Sequence, residues 1–442
     1  MANRWSNRLS FIITTSAFAV GLGNIWRFPY AVGEGGGGAF LLIYLLLIFL
    51  IGIPILTIEI VLGRMSRATP LTGFGKLSGK AAWNGVGWLN VAANMIILFY
   101  YVMILAWIII YFGQSVSGRL SMLSTDDLQD HFSTIASDLP TILLVILGIM
   151  VASFFIVSRG LREGLERYAK FMMTTLIVIM IGLAVWAATL DGAGAGYRWY
   201  LYPDFSKINV QVILGALGQL FFSVGVGMAI AFVFGGYAGR KENLLTSVIW
   251  IVIADTLFAV LAGLMIFPAL FSFGLPPDSG PNLIFVTMAS VFGRLENGAF
   301  WGAVFFLLLF LGGFTSLIAS LQGLKQSFQE RFKLTPFRAL VAVTTMVTAG
   351  SIPVVFSYVE NPVRFFGMTV FGLFDYLTNT IMLPVGGLLI VVFGAFAIGF
   401  ERIKTHLLAS GQKMKVGEYW KPVIKWVIPL AVLVILLNGL FG

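Results

Sequence analysis

The 442-residue chain has no cysteine, two histidines and a charged fraction of only 11%. Without cysteine there is neither a disulfide framework nor a thiolate metal site. The two histidines, His131 and His406, fall in apparent loops, which argues against a histidine-based metal centre or proton relay. Soluble domains carry about 25% charged residues, so this chain has too few to cover a soluble surface. No cluster of His, Cys or paired carboxylates stands out, which makes an enzyme the weakest reading. The first apolar stretch is interrupted by Gly, Asn, Arg and Pro and lacks a small-residue cleavage site, so no cleavable signal peptide is expected.

What the chain has instead is apolar length. Hydrophobic residues make up 59% and the mean hydropathy is +0.95. They come in blocks such as Phe40 to Ile58, Ile142 to Val157 and Val427 to Leu440. A bilayer-spanning helix needs about 20 mostly apolar residues. An all-α, polytopic membrane protein forming one transmembrane domain is therefore expected. Eleven spans are expected, near 8–29, 38–62, 84–113, 139–157, 168–190, 210–236, 243–273, 298–328, 337–357, 367–398 and 420–441.

In a soluble protein the net charge of +9 would point to nucleic acid. Here it reads as topology. With a cytoplasmic N-terminus, about 22 of the 28 Lys and Arg side chains fall inside, as the positive-inside rule requires. The basic balance then needs no nucleic-acid partner, only a lipid bilayer. An odd number of spans puts the C-terminus outside. Ser115–Asp138 reads as a polar outer loop, Leu275–Pro281 as a folded outer loop, and Ser158–Lys170 as a basic amphipathic inner segment.

The chain also repeats itself. Span 1 reads Phe18-Ala19-Val20-Gly21-Leu22-Gly23-Asn24, and span 6 reads Phe222-Ser223-Val224-Gly225-Val226-Gly227-Met228. The two copies lie five spans apart and so enter the membrane from opposite sides. That predicts an inverted repeat with discontinuous helices: pseudo-repeats near 8–190 and 210–398, then an extra helix near 420–441. The competing reading is that Gly-x-Gly only lets helices pack closely. Glycine costs about 1 kcal/mol in a helix interior. Unwinding there frees N–H and C=O groups that must line a cavity or hold a ligand. A half-helix N-terminus after Gly23 suits a carboxylate. The carbonyls before the break suit a hard cation such as Na⁺.

Charges inside the spans sharpen this. Glu59, Asp255, Arg27 and Asp375 would cost about 2.5 kcal/mol or more each unless paired or hydrated. For Arg27 and Asp375 the alternative is interfacial snorkelling. Glu59 reads best as a brace for loose backbone amides.

The run Ala19-Val20-Gly21-Leu22-Gly23-Asn24-Ile25-Trp26-Arg27-Phe28-Pro29-Tyr30, followed by Gly35 to Phe40, resembles the opening helices of the neurotransmitter:sodium symporter family. Tyr100-Tyr101, Phe221-Phe222-Ser223 and Thr315-Ser316 match further along. Eleven spans resemble the family's bacterial amino-acid-transporting branch. The resemblance implies the leucine-transporter fold, a multi-pass protein of the bacterial inner membrane, and sodium-coupled import of an amino acid by alternating access. It implies two Na⁺ sites. The first would use Ala19, Asn24, Ser223 and Asp255; the second Ala17, Val20, Gly312, Thr315 and Ser316. Where the family often has Asn, Asp255 adds a negative charge that could replace a bound anion, so chloride is not expected; the competing reading is a protonated, passive Asp255. Unaided by the resemblance, Thr-Ser in a membrane helix usually bonds back to its own backbone.

The resemblance places the substrate beside Ala19 and Ser223, with its carboxylate at the N–H groups of Leu22 and Gly23, at Tyr101 and at the first Na⁺. Gly21, where monoamine carriers have an aspartate, points to an amino acid. The side-chain pocket would be lined by Ile97, Phe222, Gly225, Met228, Ser316 and Ser320, with Gly225 adding room for a hydrophobic or aromatic side chain. Ser320 keeps polar substrates open. Arg27 and Asp375 would close the outer gate. Trp5, Tyr237 and Glu330 would form the inner gate, with Arg4 standing in for an arginine the family has where this chain has Ala2. The readings kept beside this one are a same-fold carrier for another small polar or carboxylate-bearing solute, a carrier not coupled to sodium, a channel, and a sensor.

Overall fold

The computed structural model describes residues 4–123, 125–239, 242–277, 282–408 and 417–441. Among these, nine helices are long and apolar enough to cross a bilayer: Gly38–Ser66, Ala81–Val116, Leu139–Ser158, Leu161–Ala188, Leu244–Ser272, Gly298–Phe332, Pro336–Tyr358, Val370–Leu408 and Glu418–Gly439. They are spans 2–5 and 7–11. Span 1 is a bent pair, Arg8–Ala19 and Gly23–Glu34, with 53° between its halves. Span 6 is split into Val210–Ser223 and Ile230–Tyr237.

The breaks have local causes. The first helix stops where Val20 turns extended, with ψ of 98°. In the second, Gly225 and Gly227 sit at φ of 64° and 80°, and Ala229 at 69°. Glycine takes these angles at little cost, whereas Ala229 is strained. The freed amides need acceptors in a medium without water. One acceptor is Glu59, fully buried in span 2, whose Oε2 takes a hydrogen bond from the Gly227 N–H at 3.2 Å.

Two expectations are corrected and one is extended. Ser158–Lys170 is amphipathic, with Leu161, Leu165 and Ala169 buried, and after a turn at Gly160 (φ 83°) it runs directly into span 5 from Leu161. Its Glu166 is buried and accepts from the Ser6 N–H at 3.1 Å, which ties this turn to the N-terminal segment. Ser115–Asp138 is not merely a loop. It contains the helix Thr125–Ser137, whose Phe132 ring stacks on Phe285 at 5.2 Å and covers the outer end of the bundle. Both histidines are helical. His131 lies in that outer helix, 2.7 Å from Gln114 Oε1, and burial and the nearby Arg119 lower its pKa from the usual value. His406 ends span 10 and accepts from Arg64 Nε at 2.9 Å. Of the Leu275–Pro281 loop, residues 278–281 lie outside the described residues, as do Arg240, Lys241, Lys413 and Lys415.

Replacing Glu59 by Ala leaves the Gly227 amide without an acceptor, a loss of about 1–3 kcal/mol. The Glu59→Ala protein in detergent is expected to unfold about 2 °C or more below the wild type in a thermal melt. Glu59→Gln keeps an acceptor oxygen and is expected to recover most of that loss.

Candidate functional site

The two breaks face each other at the centre of the bundle, and a carboxylate holds them there. Asp255, from span 7, is fully buried, and no Lys or Arg forms an ion pair with it among the described residues. Ser223 Oγ donates to its Oδ2 at 2.8 Å. Asn24 Nδ2 donates to its Oδ1 and to its carbonyl oxygen, both at 2.8 Å, and reaches Ser223 Oγ at 3.3 Å. Asn24 Oδ1 accepts from the Gly21 N–H at 3.3 Å. Asn24, Ser223 and Asp255, three of the four residues expected at a first cation site, thus meet at one point.

This donor set fits a hard cation. A buried carboxylate without a cationic side chain costs several kcal/mol, and carboxylate, hydroxyl, amide and carbonyl oxygens are what a hard ion prefers. The carboxamide of Asn24 can present either its nitrogen or its oxygen in almost the same space. With the nitrogen toward Asp255 it compensates the carboxylate. Rotated, it offers the oxygen to an ion. Tyr44, whose hydroxyl donates to Ser223 Oγ at 3.2 Å, and Gln219, which donates to the Gly23 carbonyl at 2.8 Å, were missed by the sequence reading. The signal for both was a polar residue inside an apolar run.

Beside this cluster lies a cavity of about 40 Å³. It is lined by Ala19, Gly21, Leu22, Gly23, Ile97, Tyr101, Phe222, Ser223, Gly225, Met228, Ser316 and Ser320, all twelve residues expected of the substrate pocket, together with Phe18, Asn94 and Leu98. Gly21 is there because nothing larger fits: a Cβ would overlap Ser316 Oγ and sit 3.3 Å from Tyr101 Oη. Gly225 does not add room for a ligand, contrary to expectation. The Phe18 ring already fills the space, with Cζ 2.7 Å from where a Cβ would be.

The elements of the second cation site also converge. Ser316 Oγ donates to the Phe18 carbonyl at 2.9 Å, crossing from span 8 to the end of the first half-helix, where Ala17 and Val20 are buried. Thr315 Oγ1 donates to the Gly312 carbonyl at 2.7 Å, within its own helix. A Cβ on Gly312 would lie 3.9 Å from Gly21 Cα, so span 8 packs tightly on the first break.

Outside the pocket is a vestibule of about 250 Å³ that shares Leu22, Tyr101 and Phe222 with it. Arg27 and Asp375 both line this vestibule, but they do not form the expected ion pair. The Arg27 guanidinium lies over the Phe222 ring, 4.4 Å from its centroid, and Asp375 Oδ1 accepts from Asn379 Nδ2 at 2.6 Å. On the opposite side, Trp5 Nε1 donates to the Phe234 carbonyl at 3.1 Å, and its ring packs edge-on against Phe234 and Tyr237. Below lies a cavity of about 1150 Å³ lined by Arg4, Tyr237 and Glu330 among others. Arg4 and Glu330 are not paired there. Glu330 is taken by the Thr69 N–H at 3.0 Å and by the Thr72 hydroxyl, while the exposed Arg4 accepts from Arg162 through its carbonyl at 3.1 Å.

A model of the sodium:neurotransmitter symporter family matches residues 2–130 and 125–441. The chain belongs to that family. An uncharacterised sodium-dependent transporter of Haemophilus influenzae is 32% identical, over 99% of this chain and 98% of its own. The sodium-dependent transporter YhdH of Bacillus subtilis is 32% identical, over 98% and 97%. The crystal structure of MhsT in complex with L-phenylalanine superposes with a TM-score of 0.90 at 32% identity, covering 99% of this chain and all of MhsT. The chain is thus a polytopic, all-α, sodium-dependent transporter with the leucine-transporter fold, whose helices 1 and 6 are discontinuous.

Because the native chain lacks cysteine, a single cysteine reports cleanly on access to the pocket. Phe222 separates pocket from vestibule, so Phe222→Ala is expected to join them. In Ser320→Cys, a membrane-impermeant thiol reagent is expected to label at least tenfold faster when Phe222→Ala is added. Equal rates would show that Phe222 is not the barrier.

Proposed function

We propose that this transporter imports an amino acid with a hydrophobic or aromatic side chain, in symport with two Na⁺, by alternating access. The observation that carries the reading is the meeting of a buried carboxylate with no Lys or Arg ion-pair partner among the described residues, Asp255, with Asn24 and Ser223 beside an apolar-walled cavity. One end of that cavity offers the Leu22–Gly23 main chain and Tyr101, which would take the substrate carboxylate, with the first Na⁺ between it and Asp255. Ile97, Phe222 and Met228 would take the side chain. The L-phenylalanine in the MhsT complex supports a substrate of this class.

The first Na⁺ would be held by the Ala19 carbonyl, Asn24, Ser223 and Asp255, with the Asn24 carboxamide rotated to present oxygen. The second would be held by the Ala17, Val20 and Gly312 carbonyls and the Thr315 and Ser316 hydroxyls. For this, both hydroxyls keep oxygen lone pairs even while donating to carbonyls. Asp255 supplies the negative charge that would otherwise fall to an anion, so chloride is not required. Residues near 8–190 and 210–398 act as inverted pseudo-repeats that rock against each other around this site. The protein sits in the bacterial inner membrane with its N-terminus in the cytoplasm and its C-terminus outside.

Entry begins with Phe222 leaving its place under Arg27, which opens the small pocket to the vestibule. Arg27 and Asp375 then come together over the loaded site. Exit needs Trp5 to leave Phe234 and Tyr237. Each positive charge carried inward gains about 2.3 kcal/mol per 100 mV. Two give about 4.6 kcal/mol, a concentration ratio above a thousandfold before the sodium gradient is counted.

In proteoliposomes, phenylalanine uptake is expected to require external Na⁺ and to be unchanged when chloride is replaced by gluconate. Asp255→Asn is expected to raise the Na⁺ concentration for half-maximal uptake at least tenfold. Uptake of equal rate in choline would overturn the reading.

A further inference from the structure

Asn94 is a feature of the pocket that an apolar substrate leaves unexplained. It lies in span 3, is 1% exposed and lines the cavity. Neither its Nδ2 nor its Oδ1 has a hydrogen-bond partner in the protein. Buried carboxamides are normally satisfied, and each polar atom left alone destabilises the fold. The cost is greater still inside a membrane bundle, where water is scarce. A side chain kept in this state is matched to something that arrives.

Its position says what. Asn94, Ile97, Leu98 and Tyr101 fall at intervals of three and four, and all four line the cavity. Asn94 and Tyr101 are seven residues apart, about 10 Å along the helix axis. That is close to the reach of an extended aromatic amino acid from its carboxylate to its ring tip plus one hydrogen bond. Between the two polar ends the same face presents only Ile97 and Leu98. A carboxylate at Tyr101, an apolar ring against Ile97 and Leu98, and a polar tip at Asn94 complete the match. Ser320, 4% exposed, adds a hydroxyl to the lining.

We propose that Asn94 is a specificity-determining residue. It bonds an O–H or N–H carried by the far edge of the substrate's ring, so the favoured substrate is a hydroxyphenyl or indole amino acid rather than phenylalanine. The inference rests on the proposed function and narrows it. A carboxamide both donates and accepts, so a phenol hydroxyl uses both of its atoms and an indole N–H uses the oxygen. Phenylalanine would bury Asn94 against a ring edge with nothing to pair.

The test is equilibrium binding of tyrosine and phenylalanine to the purified protein in Na⁺, for the wild type and Asn94→Leu, which keeps the branched outline of the side chain and removes both polar atoms. The wild type is expected to bind tyrosine at least tenfold more tightly than phenylalanine. Asn94→Leu is expected to bring the ratio to one or below through lost tyrosine affinity, with phenylalanine affinity changed less than threefold. A wild-type ratio of one or less, or a ratio that Asn94→Leu leaves unchanged, overturns the assignment. If Asn94→Leu does not fold, Asn94→Ala serves, and the wild-type ratio decides alone if neither folds. Wild-type protein that binds neither amino acid in Na⁺ overturns the proposed function together with this inference. Binding of both with equal affinity overturns this inference alone.

Discussion

The Asp255 carboxylate, with Asn24 on one broken helix and Ser223 on the other, is the interaction on which the centre of this protein depends. It is fully buried and has no cationic side-chain partner among the described residues. Among the described residues, hydrogen bonds at 2.8 Å from Asn24 and Ser223 compensate it. That arrangement joins spans 1, 6 and 7 at a single point. It also makes the joint sensitive to any cation that enters. Glu59 plays a complementary part. By accepting from Gly227 it holds main chain that has left helical hydrogen bonding without filling the pocket.

The surrounding structure serves to control access to that point. An aromatic lid, Phe222 beneath Arg27, separates the pocket from the vestibule, and Trp5 packs against Phe234 and Tyr237 on the far side. Among the described residues, ring contacts and the Trp5–Phe234 hydrogen bond contribute to these barriers, and no ion pair closes either. Such contacts are each worth about a kcal/mol, so either barrier can open without dismantling the fold. The larger charges at the proposed gates, Arg27, Asp375 and Glu330, are engaged elsewhere or lie apart, and so would be available to re-pair in the proposed rocking of the two halves.

Much of this was legible in the sequence because a bilayer simplifies the problem. Apolar length alone located nine continuous spans, and the paired Val-Gly-x-Gly segments located both breaks. The residues expected at the substrate site came from the family resemblance carried by the motif around Gly21–Asn24 and its later partners, and the structure gathers them around one space. What stayed hidden depends on distances between elements. Gly225 looked like spare volume, yet its neighbour in space is Phe18, seen only once the two breaks face each other. Arg27–Asp375 and Arg4–Glu330 share cavities without forming ion pairs, a matter of side-chain placement that no motif encodes. The outer helix at Thr125–Ser137 was masked by its polar composition, since only one face, at Phe132, meets the bundle. Asn94 was passed over because a lone carboxamide in an apolar run looks like any buried polar residue until its lack of partners is known.

The central claim is that unwound main chain around Asp255 forms one site shared by cation and amino acid. Linkage makes this measurable, because two ligands that share a site must change each other's affinity by the same factor. Calorimetric titration of purified protein with phenylalanine at graded Na⁺, and with Na⁺ at graded phenylalanine, tests it most directly. Each ligand is expected to strengthen the other at least tenfold, by factors that agree. Phenylalanine affinity that is the same in Na⁺ and in choline would contradict the shared site.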